Sequence, residues 1–410
     1  MRIRLFRKQS RTKCQYVIEA LAKGRCILGI WYFATISSFV FTLIGGMYNG
    51  DFSRDEVSLS ALGLSFALLL TIIPYIVVWK LYRHYVIRYF NSQKHFTIPI
   101  RILRNVTWVL IIVSILLFLS GYGRMGQGEN AIDASNPITI LRSIIYKLTK
   151  FPWAYMCLLL VNKKRDVVIT ALLSSLRSVA AFSLGGLLWV ALILVYKYYS
   201  KVAKYFKKYI IIWGIMSIMI PGIIAFLYNV RTQLRSGNDI EEMTGSELIF
   251  GKLCGRISSF SNNAIMLERV PLVLALADTY PTQFLFYDAV GFFGIHSSSF
   301  KSVGNVMQVE IVGSPNEDYQ TMAGFGGVMV LSVAKSILVM CINLALIMAL
   351  LYLVYYLPYR FKWPCCYGIA LFSTIGFCIS SDVSDLSVTV FGYIIIYYTL
   401  KFLKRVKSVR

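Results

Sequence analysis

Three cations share one face of the predicted helix in residues 138–161. At 100° per residue, Arg142, Lys147 and Lys150 lie at about 0°, 140° and 80° around the helix axis. The helix could lie on the outer membrane interface, but then only residues 151–161 would cross, about 16 Å at 1.5 Å per residue. Because a hydrocarbon core is about 30 Å thick, Lys150 must dip inward unless the bilayer thins locally. Ionisable groups at that depth normally face a wet cavity and mark function.

A second intramembrane cation is predicted in residues 167–196, an apolar stretch interrupted by Arg177. Two full crossings need about 40 residues, so a hairpin here must turn well below the outer surface, within 174–186. Arg177 would then lie near the floor of an outward-facing cavity, although it could instead snorkel or cap the turn. We favour the cavity, because Lys150 and Arg177 reach similar depth on successive elements. Such a pocket suits an anionic lipid head group such as a diphosphate.

Further candidate residues follow the seventh apolar stretch. Arg231 and Arg235 are spaced i, i+4, so they would form a two-pronged clamp on one helix face or pair with the acids that follow. The polar, small-residue stretch 255–263 contains Arg256 and ends near Glu268. Taken alone, this stretch predicts only a helix start or a turn.

The elements that must position these residues are membrane helices. Of the 410 residues, 57% are apolar and 15% are charged, whereas a soluble domain has roughly 45–50% apolar and about 25% charged residues. This composition excludes a soluble enzyme, a coiled coil, a disulfide scaffold and a disordered chain. The predicted fold class is an all-α polytopic integral membrane protein with about ten transmembrane segments and one large outer loop. At about 20 residues per crossing, the predicted spans are roughly 27–48, 58–79, 106–122, 138–161, the two arms of 167–196, 209–228, 337–357, 364–380 and 386–400.

Charge sets the predicted orientation. With a cytoplasmic N-terminus and a hairpin at 167–196, the inner segments hold 29 of the 42 Lys and Arg, but only two acids, Glu19 and Asp166. The positive-inside rule therefore predicts that both termini are cytoplasmic. The net charge of +23 has the same cause, so we expect no nucleic-acid partner.

The resulting plan has five parts. They are a basic N-terminus (1–26), a seven-segment region (27–228) with the short deep hairpin, a large outer loop (229–336), three further transmembrane segments (337–400) and a basic tail (401–410). The loop carries ten of the nineteen acids, and its middle, 270–295, is apolar enough to dip into the interface or to form helices resting on it. The chain has no metal-ligand spacing, so neither a metal nor a cofactor is expected.

The basic N-terminus, the ten or so spans, the late outer loop and the stretch 255–263 resemble the bacterial oligosaccharide repeat unit polymerases, the Wzy-type O-antigen polymerases. The arginine in Ser175-Leu176-Arg177-Ser178 looks like that family's arginine before an apolar span. One departure is that the Arg-x10-Gly pattern of some members is absent after the three loop arginines.

The resemblance implies a glycosyltransferase of the bacterial inner membrane that works on its periplasmic face. It would transfer a growing glycan from undecaprenyl diphosphate to the sugar of another lipid-linked repeat unit. Its partners would be undecaprenyl-diphosphate-linked oligosaccharides, the lipid bilayer, and a chain-length regulator and a flippase of the same pathway.

This chemistry needs cations for the leaving diphosphate and a carboxylate base for the acceptor hydroxyl. The predicted diphosphate-binding residues are Arg142, Lys147, Lys150, Arg177, Arg231, Arg235 and Arg256. We choose Glu268 as the base, since it follows the family-like stretch and lies about three turns beyond Arg256 if the helix persists. Asp239 and Glu242 are the alternatives, and any acid of the loop could instead merely solvate it.

Three other classes compete. An O-antigen ligase of related architecture would use the same pocket and donor but a lipid A-core acceptor. A flippase for polysaccharide precursors would need polar residues along the inner half of the spans, where the sequence has few. A structural membrane partner would need no intramembrane cations.

Overall fold

The computed structural model describes residues 2–52, 55–92, 98–119, 153–181, 184–209, 254–290, 303–306 and 324–408, with a few isolated positions between 222 and 251. Nearly all of this part of the chain is helical. The helices of the first half are α1 (Arg2–Gly45), α2 (Ala61–Asn91), α3 (Ile100–Leu119), α4 (Ala154–Leu160), α5 (Lys164–Ala180), α6 (Leu184–Lys197) and α7 (Tyr199–Lys208). Those of the second half are α8 (Gly255–Ser258), α9 (Phe260–Glu268), α10 (Val270–Thr279), α11 (Phe284–Val290), α12 (Val303–Val306), α13 (Gly324–Lys335), α14 (Ile337–Arg360), α15 (Cys366–Ser380) and α16 (Val383–Ser408).

Five helices in the described part of the chain are long and apolar enough to cross a membrane. They are α1 from Cys14 onward, α2, α3, α14, and α16 as far as Leu403. A sixth candidate joins α6 and α7, which are bent by 89° at their junction, and α13 and α15 are shorter apolar helices. The chain is therefore an all-α membrane protein. Ten spans are not established, because most of the predicted spans 138–161 and 209–228 lies outside the described residues.

Serine caps fix the start of two of these spans. The Ser60 hydroxyl accepts a hydrogen bond from the Gly63 N–H at 3.3 Å, where α2 begins. The Ser336 hydroxyl accepts one from the Val339 N–H at 3.1 Å, where α14 begins. Each cap satisfies one of the backbone donors that the first turn of a helix leaves without a partner.

Contacts between the helices define two ends of the bundle. Tyr355 of α14 donates a hydrogen bond to the Val78 carbonyl of α2 at 3.4 Å. One turn further along α14, the Tyr359 ring lies 5.3 Å from the Arg88 guanidinium at the end of α2, so the two helices run in the same direction. The end of the bundle that holds Arg88 and Arg360 is called the basic end. The opposite end, where α1 leads into Tyr48, is called the outer end, in keeping with the predicted orientation.

Two helices occupy the stretch for which we expect a hairpin. α5 ends at Ala180 and α6 begins at Leu184, so the break lies within the predicted turn region 174–186. A Cβ added to Gly186 of α6 would collide with the Ser178 hydroxyl of α5, so glycine allows the two helices to meet closely.

Lys197 at the end of α6 holds α4 in place. Its ammonium donates hydrogen bonds to the carbonyl oxygens of Leu158 at 2.8 Å and Leu159 at 3.2 Å, and also to that of Val161. The last carbonyls of a helix have no partner within the helix and carry its negative dipole end. A cation is therefore well placed to satisfy the carbonyl oxygens at the end of this short, fully buried helix.

The described part of the predicted outer loop is folded into the bundle. Asn263 of α9 donates a hydrogen bond to Thr71 at 2.6 Å. Thr71 lies ten residues into α2, about 15 Å along its axis. α10 and α11 form in the apolar middle of the loop, as its hydropathy indicates, but α9 and α13 are largely buried between the spans. The two helices that flank this middle part, α9 and α13, are therefore packed inside the bundle.

Candidate functional site

Arg177 is a buried cation on α5, with 9% of its surface exposed. Its Nε donates a hydrogen bond to the Ser114 hydroxyl at 3.1 Å. Its guanidinium carbon lies 5.5 Å from the centre of the Phe118 ring. Ser114 and Phe118 both belong to α3, so this helix contributes a polar contact and the negative face of an aromatic ring to the orientation of the arginine.

The register between α3 and α5 gives the depth of Arg177. Arg104 of α3 forms an ion pair with Asp166 of α5 at 2.7 Å near the basic end, and Trp108 donates to Thr170 at 2.9 Å one turn further. Arg177 follows Asp166 by eleven residues, about 16 Å along the helix. A hydrocarbon core is about 30 Å thick. If the ion pair marks the inner boundary of that core, Arg177 lies about halfway across it.

Glu268 lies at the end of α9 and is tied to the connection between α1 and α2. Its Oε2 accepts a hydrogen bond from the Tyr48 hydroxyl at 2.5 Å and a longer one from the Ser58 N–H at 3.4 Å. Tyr48 is almost fully buried, and Glu268 is partly buried. Burial, and then the neighbouring carboxylate, raise the pKa of Tyr48, so the phenol keeps the proton that it donates.

The helix that was expected to join Arg256 and Glu268 is interrupted. Ser259 adopts a left-handed conformation with φ 55°, which ends α8 and starts α9. The Ser259 hydroxyl bonds to the Ile379 carbonyl of α15, which helps to hold this unfavourable backbone. Arg256 is exposed on the four-residue α8. One helix does not persist from Arg256 to Glu268, so the spacing of three helical turns between them does not apply.

The family-like stretch 255–263 contributes to a buried polar seam, which consists of Ser38, Asn49, Ser258 and Ser261. Ser258 donates to Ser38 at 3.1 Å, and the Asn49 amide donates to the same hydroxyl at 2.6 Å. Ser261 donates to the Asn49 side-chain oxygen at 2.6 Å. Each of the four residues is at most 1% exposed. The seam therefore attaches α8 and α9 to α1 rather than presenting these side chains to a substrate.

Asn263 extends this attachment to α2 and α13. Besides its bond to Thr71, its side-chain oxygen accepts the Gly326 N–H at 2.7 Å. A Cβ on Gly326 would approach that oxygen to 2.8 Å, so the position favours glycine. One buried amide thus satisfies two buried polar groups on different helices.

Asp288 on α11 is a second carboxylate of interest near the outer end. Burial, and then the charge of Asp382, raise the pKa of Asp288 well above its ordinary value, although the Val303 N–H opposes the shift. A carboxyl group with a raised pKa keeps its proton to a higher pH than an ordinary aspartate, and perturbed groups of this kind are common at functional sites. Asp288 is therefore a further candidate for acid–base chemistry within the predicted outer loop.

The predicted site residues are only partly described. Arg142, Lys147, Lys150, Arg231, Arg235, Asp239 and Glu242 lie outside the described residues. Of the other three, Arg177 is held by α3, Glu268 by the α1–α2 connection, and Arg256 is exposed. Arg177 and Glu268 are thus positioned by different elements.

The sequence did not predict Ser114 as the partner of Arg177, nor Tyr48 as the partner of Glu268. Ser114 had a weak signal, since Thr107, Ile111, Ser114 and Phe118 have the spacing of one helix face in α3, and all four are buried. Tyr48 had no local signal, because its partner is 220 residues away.

No family model matches the chain, and no curated protein and no solved structure is significantly similar to it.

Proposed function

We propose that the protein polymerises lipid-linked oligosaccharide repeat units on the periplasmic face of a bacterial inner membrane. In each cycle the bond between the anomeric carbon and the diphosphate oxygen of the donor breaks. A bond forms between that carbon and a hydroxyl oxygen of the acceptor repeat. The hydroxyl proton passes to a carboxylate base, and undecaprenyl diphosphate leaves. Both termini are proposed to be cytoplasmic.

The observation that carries this proposal is the buried guanidinium of Arg177. Arg177 lies in the last turn of α5 and is buried inside the bundle. A charged group inside the bundle of a membrane protein is costly, and such groups usually serve a ligand, an ion path or a proton path. A guanidinium suits a diphosphate, because its planar donors can bind two phosphate oxygens in parallel. Ser114 and Phe118 fix its orientation beforehand, which is what stabilisation of a developing negative charge requires.

Glu268 supports the second half of the reaction. It is a carboxylate near the outer end, where a periplasmic acceptor would arrive, and its orientation is fixed by Tyr48. A base also needs hydrogen-bond reach to the acceptor hydroxyl. Asp239 and Glu242 are retained as alternative bases, and Asp288 is added to them.

Deletion of the gene tests the proposed function. A strain without the polymerase should display surface polysaccharide with a single repeat, and the full ladder should return when the gene is restored. If the protein were instead a ligase, deletion would leave no polysaccharide attached and polymer would accumulate on the carrier lipid. That second pattern, or an unchanged ladder, would refute the proposal.

A further inference from the structure

α7 lies across the end of a candidate membrane span. It follows α6 after a single residue and is bent by 89° from it. The Ser200 hydroxyl at its start donates a hydrogen bond to Glu19 of α1 at 2.7 Å. Glu19 also forms an ion pair with Lys23 at 2.9 Å. Because α6 runs along the bundle, a helix at right angles to it runs along the membrane surface.

The side chains of α7 are segregated. Its apolar face has the spacing i, i+3, i+4, i+7 and consists of Val202, Tyr205, Phe206 and Tyr209. The three aromatic side chains are between 38% and 56% exposed. A neighbouring face, centred about 120° away, carries three exposed lysines, Lys201, Lys204 and Lys208. Exposed aromatic side chains beside lysines are typical of helices that lie in a membrane interface.

The position of α7 identifies the leaflet. α6 ends at Lys197, whose ammonium donates to the carbonyl oxygens at the end of α4. The next helix, α5, carries Asp166 of the ion pair with Arg104 in its first turn. Tyr196, the residue before it, contacts Tyr82 near the end of α2 that leads to Arg88. α7 therefore lies at the basic end of the bundle.

We propose that α7 is an interfacial helix that binds acidic phospholipid head groups of the leaflet at the basic end. Its aromatic face enters the boundary between head groups and acyl chains. Its lysines contact phosphates, and each cation near an anionic surface strengthens binding. The neighbouring span holds α7 at the bilayer surface, so phospholipid is the partner that is always within reach. This inference does not depend on the glycan chemistry proposed above.

The test measures phospholipid binding to the purified full-length protein by native mass spectrometry. Phosphatidylglycerol and phosphatidylcholine are the probes, and the variant carries Lys201→Gln, Lys204→Gln and Lys208→Gln. Affinity for phosphatidylglycerol should fall by about tenfold or more, while affinity for phosphatidylcholine stays as in the wild type. The single substitution Lys204→Gln should give a smaller loss in the same direction, which keeps the test valid if the triple variant folds poorly.

A matched control removes three exposed cations at the start of α5 at the same end: Lys163→Gln, Lys164→Gln and Arg165→Gln. Because no exposed aromatic face accompanies these cations, the control should lose clearly less affinity for phosphatidylglycerol than the α7 triple variant. Equal losses in both triple variants would show a general charge effect and overturn the proposal. So would an unchanged affinity in the α7 variants, or a wild-type protein that does not prefer phosphatidylglycerol.

Discussion

The hydroxyl of Tyr48 donates a hydrogen bond of 2.5 Å to the carboxylate of Glu268, across 220 residues of sequence. It joins the connection after the first helix to the end of α9. The proposed base and the first membrane helix therefore cannot move independently while this bond is intact.

Removing the Tyr48 hydroxyl should destabilise the fold. A hydrogen bond to a charged group contributes about 1.5–3 kcal/mol to the free energy of unfolding. We expect Tyr48→Phe to lower that free energy by an amount in this range, seen as a lower midpoint of thermal unfolding in detergent. Tyr16→Phe, at an exposed tyrosine, is the control and should melt like the wild type. Identical melting of all three proteins would show that the bond contributes nothing.

Arg177 should be essential for polymerisation under the proposed function. Arg177→Ala should abolish the long-chain ladder, and Arg177→Lys should lose most of it, because an ammonium acts as a point charge rather than a planar fork. Leu176→Ala, at the exposed neighbouring position, should leave the ladder unchanged. A normal ladder from correctly inserted Arg177→Ala protein would remove Arg177 from the site.

The base can be found by neutralising acids singly. We would replace Asp239, Glu241, Glu242, Glu247 and Glu268 by Asn or Gln and examine the polysaccharide ladder. Loss of the base should make lipid-linked repeats accumulate although the protein is inserted, whereas loss of an exposed solvating charge changes little. Five normal ladders would exclude a base between residues 239 and 268, and Asp288 would be tested next.

The raised pKa of Asp288 predicts a pH-dependent stability. A folded carboxyl group with a raised pKa contributes stability that is complete below its unfolded pKa of about 3.9 and is lost as the pH rises through its folded pKa. The midpoint of thermal unfolding of Asp288→Asn should therefore rise, relative to that of the wild type, as the pH is raised from about 4.5 to about 7.5. Glu56→Gln, at an exposed acid outside the helices, should show no such gain. A constant difference between Asp288→Asn and the wild type would contradict the shift.

Asn263 should be among the most sensitive buried positions. Asn263→Ala leaves the Gly326 N–H and the Thr71 hydroxyl without their bonds to the Asn263 side chain. An unsatisfied buried group costs about 1–3 kcal/mol, so we expect a clear fall in the thermal midpoint. Asn91→Ala, at an exposed asparagine in the last turn of α2, is the matched control. The role assigned to Asn263 fails if both variants melt alike.

The sequence was sufficient for the fold class and for several spans, because long apolar runs directly report helices that face lipid. It also predicted a break between 174 and 186, where α5 gives way to α6. These features depend on composition and length over a window of neighbouring residues.

The burial of α9 and α13 could not be predicted in the same way. Hydropathy records how apolar a segment is, not whether protein or lipid surrounds it, so the polar residues from Ser258 to Asn263 indicated only a helix start or a turn. Their partners, Ser38, Asn49 and Thr71, are about 190 to 220 residues away in sequence. The left-handed Ser259 also has no local signature, because a tertiary contact with α15 accompanies it.

The separation between Asn49 and Ser261 along the chain also sets a delay between the synthesis of the two residues. The two residues are 212 positions apart, and a ribosome adds about 5–20 residues per second. Ser261 is therefore made about 10–40 s after Asn49. During this interval the Asn49 side-chain oxygen lacks its bond from Ser261, so the connection between the first two membrane helices reaches its final packing only when the second half of the chain has been translated.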